Sequence, residues 1–303
     1  MTTSGRSDYA TFRRALRRSA PQLSRPLPWI GHVDPWAVMV SEFMLQQTQT
    51  SRVLGPWSRF LEALPTPGAC ADAPLSEVLT LWSGLGYHRR AKALHDAARI
   101  IRDEFAGVVP SDADALRRLP GVGEYTANAV ASFAFGRRVA VLDTNVGRVL
   151  ARAIANHPLH RAEARDIAHG LLPRGDSATF NQSMLDLGAQ FCKSSPRCDD
   201  CPMARVCVWR REGGPDPAPN SAAVSRPQTK FEGSDRQVRG RALALLRENA
   251  QSNQLLLQLL DVPEDRGAAV LDGLERDGLI ERRGGMVSLA GEQSRSTSSS
   301  QRR

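Results

Sequence analysis

Leu119-Pro120-Gly121-Val122-Gly123-Glu124-Tyr125-Thr126 decides how this chain folds and what it holds. The stretch lies between two segments of helical periodicity, 113–119 and 125–135. Its two glycines permit a tight turn and keep side chains out of the space between backbone and ligand. Amides in such a turn, beside the N-terminus of the following helix, can hold a phosphate. A contact of that kind positions DNA without reading its sequence. Taken alone, Gly-x-Gly between helices is an ordinary turn, so the surrounding chain must supply the context.

Outward from the turn, residues 8–210 read as helices separated by glycine and proline. Asp34-Pro35 is an N-cap followed by proline at the first helical position, opening a helix over 36–47. Further helices fit 51–63, 75–82, 90–105, 145–155 and 181–191. The one strand-like run, 139–142, is too short to build a sheet, so an all-α core is expected. Residues 211–230 are rich in Pro, Gly, Ser and Asn and read as a linker. Residues 231–290 read as a separate module, with helices over 236–249, 254–260 and 264–277. A hairpin turning at Gly284-Gly285 follows, which together suggests a winged-helix-like α/β arrangement. The tail 291–303 is low in complexity and expected to be disordered.

Composition narrows the partners. With 41% hydrophobic and 24% charged residues the 303-residue chain has a soluble, globular composition. No run approaches the roughly 20 apolar residues of a membrane span. The first twenty residues lack the apolar core of a secretion signal and read as a short polar lead into an amphipathic helix, so a cytoplasmic setting with reduced cysteines is expected. The formal charge of +8 favours a polyanion, with nucleic acid ahead of an anionic membrane surface. From Phe231 onward eleven Lys/Arg balance eleven Asp/Glu, so the whole excess lies in residues 1–230. Pairs such as Arg89-Arg90 and Arg137-Arg138 suit phosphate contacts as well as solvated helix ends.

Four of the five cysteines, Cys192, Cys198, Cys201 and Cys207, fall in the spacing C-x5-C-x2-C-x5-C. In a reducing compartment four such thiols hold metal more readily than they pair. Zinc is one candidate, since four cysteines can form a tetrahedral site. Zinc ribbons place two C-x2-C pairs on separate knuckles, however, and this chain has one. The single tight loop favours a [4Fe–4S] cluster. Cys70 reads as a packed thiol with no assigned role.

With these features in hand, LPGVGEYTA resembles the helix-hairpin-helix motif of the endonuclease III superfamily of DNA glycosylases, and the cysteine loop resembles that superfamily's [4Fe–4S] loop. Ser41-Glu42-Phe43-Met44-Leu45-Gln46-Gln47-Thr48-Gln49 narrows the likeness to the A/G-mismatch adenine glycosylases, the MutY type. Gly84-Leu85-Gly86-Tyr87, Leu142-Asp143-Thr144-Asn145-Val146 and the run from Phe180 to Gly188 point the same way. The resemblance covers residues 8–210. It implies a monomeric, nucleoid-associated repair enzyme that flips adenine mispaired with 8-oxoguanine or guanine out of double-stranded DNA and hydrolyses its N-glycosidic bond.

Cleaving that bond needs an acid for the departing base and an anion for the cationic sugar. Glu42 sits within an apolar helix, where desolvation would raise its pKa into the working range of a general acid. Asp143 precedes a helix and can serve both as its N-cap and as the anion. By resemblance, Glu42 protonates the adenine and helps activate water, Asp143 stabilises or transiently bonds the sugar, and Tyr125 and Asn145 support the pair. Gln47 and Tyr87 correspond to residues that enter the base stack. Leu119, Gly121 and Gly123 belong to the DNA-holding hairpin.

Two other readings stand beside this one. The first is a bifunctional endonuclease III-like glycosylase and lyase acting on oxidised pyrimidines. Those enzymes carry a lysine nucleophile where this chain has Tyr125 and lack the acid at Glu42, so a monofunctional enzyme is favoured. The second is a non-catalytic iron–sulfur DNA-binding regulator. The chain departs from the family pattern in its five-residue first cysteine gap where six is usual, in Ile30 in place of an arginine, and in His88 in place of a second tyrosine. Its C-terminal module is also short and neutral where a domain resembling the nucleotide hydrolase MutT is common.

Overall fold

Short polar side chains decide where many of the helices begin. In the computed structural model, which describes residues 3–31, 34–221, 224 and 230–292, the chain opens with α1 (Thr3–Leu23), α2 (Pro35–Leu45), α3 (Thr50–Ala63), α4 (Pro67–Asp72), α5 (Leu75–Leu81) and α6 (Arg89–Glu104). Then follow α7 (Ala113–Arg117), α8 (Glu124–Phe133), α9 (Thr144–Val149), α10 (Arg161–Leu171), α11 (Ser177–Gln190) and α12 (Val208–Glu212). The last part holds α13 (Asp235–Glu248), β1 (Gln251–Ser252), α14 (Asn253–Leu260), α15 (Glu264–Arg276), β2 (Ile280–Arg283) and β3 (Met286–Leu289). The Asp112 carboxylate accepts from the amides of Asp114 and Ala115 to start α7. Asp143 and Asp176 do the same for α9 and α11, and Thr66 for α4. Each such cap satisfies an amide that a helix N-terminus otherwise leaves open.

The all-α core and the small C-terminal α/β module are as expected from the sequence. Helices α4, α10 and α12 are additions to that expectation. No helix among the described residues is long and apolar enough to cross a membrane.

The chain divides into two compact units. The first comprises residues 1–42, 110–118 and 122–228. Its core is built where α1 and α9 pack on α11, joining Phe12, Leu16, Leu23, Val146, Val149, Met184 and Leu187, all buried. After α9 the helix widens into a π-helical segment, Leu150–Ala155, that ends at Asn156 in a left-handed conformation. Part of the expected linker is packed into this unit. Asp216 pairs with the buried Arg152 at 2.6 Å, and the buried Ser221 hydroxyl accepts from the Leu159 amide at 3.0 Å. A lone buried guanidinium is costly, so its carboxylate partner holds the segment in place. The expected linker residues 222–223 and 225–229 lie outside the described residues, as does the tail from 293.

The second unit comprises residues 43–109, 119–121 and 229–303. Here α4 and α5 pack on α6, with Trp57, Phe60, Trp82, Leu94 and Ile101 buried among them. Phe60 and Trp82 meet edge to face with ring centres 6.3 Å apart. In the C-terminal module α13 packs on α14 and α15, and a three-stranded antiparallel sheet in the order β1-β3-β2 closes it. Gly284 and Gly285, both at positive φ, make the turn between β2 and β3.

Candidate active site and cysteine loop

Two carboxylates of the first unit face one aromatic hydroxyl. Glu42, near the end of α2, is only 4% exposed. The Tyr125 hydroxyl hydrogen-bonds to its carboxyl, while Glu42 Oε2 is buried with no partner. Burial, and then the charge of Asp143, push the Glu42 pKa up to about 7 against the lowering effect of that hydrogen bond. Asp143 is built differently. Its Oδ1 accepts from the Val146 amide at 2.7 Å and its Oδ2 from Asn145 Nδ2 at 2.6 Å. Burial raises the Asp143 pKa, while these donors and the Arg148 guanidinium pull the other way by favouring its anion. Of the two, the carboxyl with an unpartnered oxygen keeps the proton, and the one saturated with donors carries the charge. Tyr125 is held neutral, its pKa raised by burial and by both carboxylates.

A chain of hydrogen bonds runs from Asp143 toward the cysteine loop. Asn145 donates to Asp143, and Arg148 Nη2 donates to Asn145 Oδ1 at 2.6 Å. Arg148 also donates to the carbonyls of Cys192 at 2.7 Å and Gly188 at 3.2 Å. A Cβ on Gly188 would sit 2.6 Å from the Asn145 carbonyl oxygen, so only glycine lets α11 approach the start of α9 this closely.

Cys192, Cys198, Cys201 and Cys207 line one cavity, together with apolar neighbours such as Leu187 and Met203. Among the described residues no three His, Cys, Asp or Glu side chains converge closely enough to hold a single metal ion. Four thiolates on one zinc, each about 2.3 Å from it, would lie within about 4 Å of one another. Thiolates that each bind a different iron of a cubane stand farther apart, around a larger void. The four thiols around this cavity are a donor set that either centre could use. Arg152 Nη1 approaches Cys192 Sγ at 3.4 Å, and its guanidinium stacks 5.5 Å from the Trp209 ring centre. A cation beside a thiolate cluster offsets its negative charge.

The residues expected at the DNA belong mostly to the second unit. Gly121 has φ +75°, and a Cβ there would meet Phe43 and Ala93 at 2.8 Å. Gly123 is extended and forms the N-cap of α8. The Leu119 side chain is buried, so the contact expected there falls to backbone. Gln47 and Tyr87 both have left-handed backbones, φ 55° and 48°, an uncommon and strained state for such residues. Arg90 secures both loops. Its guanidinium donates to the carbonyls of Phe43, Met44 and Gln46 at the end of α2 and to those of Leu85 and Gly86 beside Tyr87. In the sequence Arg90 reads as half of a surface arginine pair. Its burial follows from the open carbonyls at the end of α2, which the sequence pattern does not display.

Residues 40–173 match the HhH-GPD superfamily of base excision DNA repair proteins. An adenine DNA glycosylase of Mycolicibacterium smegmatis is 45% identical over 277 residues, covering 88% of this chain and 92% of its own. A thermostable thymine-DNA glycosylase superposes with a TM-score of 0.62 at 27% identity, over 68% of this chain and 98% of that one. Endonuclease III in a trapped covalent complex with DNA gives 0.58 at 26%, over 70% and 99%.

Proposed function

The chain belongs to the adenine DNA glycosylases of the HhH-GPD superfamily, a base excision repair enzyme that acts on adenine in DNA, and on that premise we propose how its own residues carry out the reaction and on which pairs. Glu42 donates its proton to a ring nitrogen of the flipped adenine. The electron pair of the C1′–N9 bond passes to the base, leaving an oxocarbenium-like sugar that the Asp143 carboxylate stabilises. Water adds at C1′ and yields a proton to Glu42, which restores the starting acid. Tyr125 and Asn145 hold the two carboxyls in their separate protonation states. The observation carrying this reading is the contrast between the unpartnered Glu42 Oε2 and the fully bonded Asp143.

The substrate is double-stranded DNA with adenine opposite 8-oxoguanine or guanine, bound by a monomer in the cytoplasm. Gln47 and Tyr87 reach the opened step, and the hairpin of Leu119, Gly121 and Gly123 grips phosphate through its backbone. Cys192, Cys198, Cys201 and Cys207 would hold a [4Fe–4S] cluster, which braces the loop they form. Purified protein is expected to be brown and to contain about four irons per chain. Zinc at about one per chain would overturn the assignment.

Excision on A:8-oxoguanine, A:G and A:C duplexes tests the whole reading, with the first two expected to be cleaved fastest. Borohydride should trap no protein–DNA adduct, because position 125 offers a phenol and no amine. A trapped adduct would favour the bifunctional alternative.

A further inference from the structure

The C-terminal module has no excess of positive charge, yet it brings arginines together at one place. Arg236, Arg239 and Arg247 of α13 are spaced i, i+3 and i+11, which places them on one face of the helix. That face meets the Gly86-Tyr87-His88 loop. Arg236 Nη1 lies 2.7 Å from the Tyr87 hydroxyl, and its guanidinium is 5.9 Å from the ring centre. Arg90 stands 5.3 Å from the same centre. The two guanidiniums therefore hold Tyr87 by ring and hydroxyl while its backbone stays in the left-handed region. Burial and the charges of Arg247, Arg239 and Arg90 keep His88 neutral, its pKa pushed down to about 4.

The module is anchored beside this contact. Asp277, just after α15, accepts from Arg89 of α6 at 2.6 Å and from Arg239 of α13. Gly278, at φ +65°, lets the chain pass where a Cβ would strike the Lys92 side chain at 2.9 Å. Docking thus has its own residues, and Arg236 makes a separate contact with the hydroxyl and ring of Tyr87.

We propose that Arg236 is a positioning residue for Tyr87, and that the C-terminal module thereby sets how sharply the enzyme discriminates the base opposite adenine. The proposal rests on the reading that Tyr87 enters the base stack at the lesion. Removing the guanidinium loosens the hold on the phenol, so the step is opened with less regard to the opposing base. The module does this without binding DNA on its own, which suits its lack of excess positive charge.

Single-turnover excision on A:8-oxoguanine and A:C duplexes by the full chain tests it, as the ratio of the two rate constants. Arg236→Met and Tyr87→Phe should each lower that ratio by roughly fivefold, the scale of one charge-assisted hydrogen bond at a partly exposed site. The double variant should be no worse than either single one, because both remove the same contact. Arg236→Lys should restore part of the ratio, and the melting temperature should stay near that of the unmodified chain. An unchanged ratio, strictly additive losses, or equal slowing on both duplexes with a lower melting temperature would overturn the proposal. A parent protein with no discrimination between the duplexes would instead sink the partner-base reading and this inference with it.

Discussion

Glu42→Gln slows adenine excision roughly a thousandfold under single-turnover conditions, the middle of the range for loss of a general acid. The amide keeps the shape of the side chain and can accept from Tyr125, but it has no proton to give to a leaving base. The same carboxyl sets the pH dependence of the parent enzyme. With its pKa raised to about 7, Glu42 loses its proton above neutrality, and excision should fall there. Stability carries an independent signature. Unfolded, Glu42 titrates near its ordinary value of 4.5; folded, it titrates at about 7. Below 4.5 both states are protonated and the group contributes nothing. Between the two values the folded state binds more protons, so stability falls as pH rises, and above 7 the full cost of roughly 3 kcal/mol is present. Glu42→Gln removes that cost. The variant should therefore melt above the parent at pH 8 and level with it near pH 4. Full activity in Glu42→Gln would remove the acid from the mechanism.

How far the sequence discloses such a site depends on whether a residue's role is local. Asp143 is legible because an N-cap is a short-range pattern, and its catalytic placement coincides with its cap. Gly121 is legible as a turn, although the reason it must be glycine, the approach of Phe43 and Ala93, is tertiary. Glu42 looks like any mid-helix glutamate until Tyr125 and Asp143, some 80 and 100 residues on, are seen to face it. Arg90 is misread for the same reason: it looks like surface charge in the sequence and is buried by carbonyls supplied from a distant segment. Arg152, on which the sequence offers no reading, is buried by a carboxylate in the same way. Asp216 shows the converse: its surroundings have the composition of a linker, and one ion pair orders them. Helix α10 is hard to read because half of its buried apolar positions, Ala164 and Ala168, are alanine, which marks a face weakly. The C-terminal module was legible as a fold but not as a neighbour of Tyr87, since nothing in the pattern of α13 shows what its arginines meet.

Asp143→Asn separates catalysis from folding more cleanly than any other change at this site. Asparagine caps helices about as well as aspartate, so the bond from the Val146 amide can persist and α9 should remain intact. The second oxygen becomes the difficulty. Asn145 Nδ2 now donates to Asp143 Oδ2 at 2.6 Å, and an amide nitrogen in that place would meet donor with donor. Asn145 can relieve the clash only by turning its amide, which breaks its bond to Arg148. The larger loss is electrostatic. A half-buried anion next to the developing sugar cation is replaced by a neutral dipole, and excision should fall by roughly a thousandfold. Thermal stability should change little, whereas Asp143→Ala should lose the cap as well, at a cost of about 1 kcal/mol. Rate constants and melting temperatures for the two variants check both halves. Equal excision by Asp143→Asn and the parent would show that the sugar cation draws no stabilisation from this carboxylate. A large drop in melting temperature for Asp143→Asn would show that the charge, more than the cap, holds α9 in place.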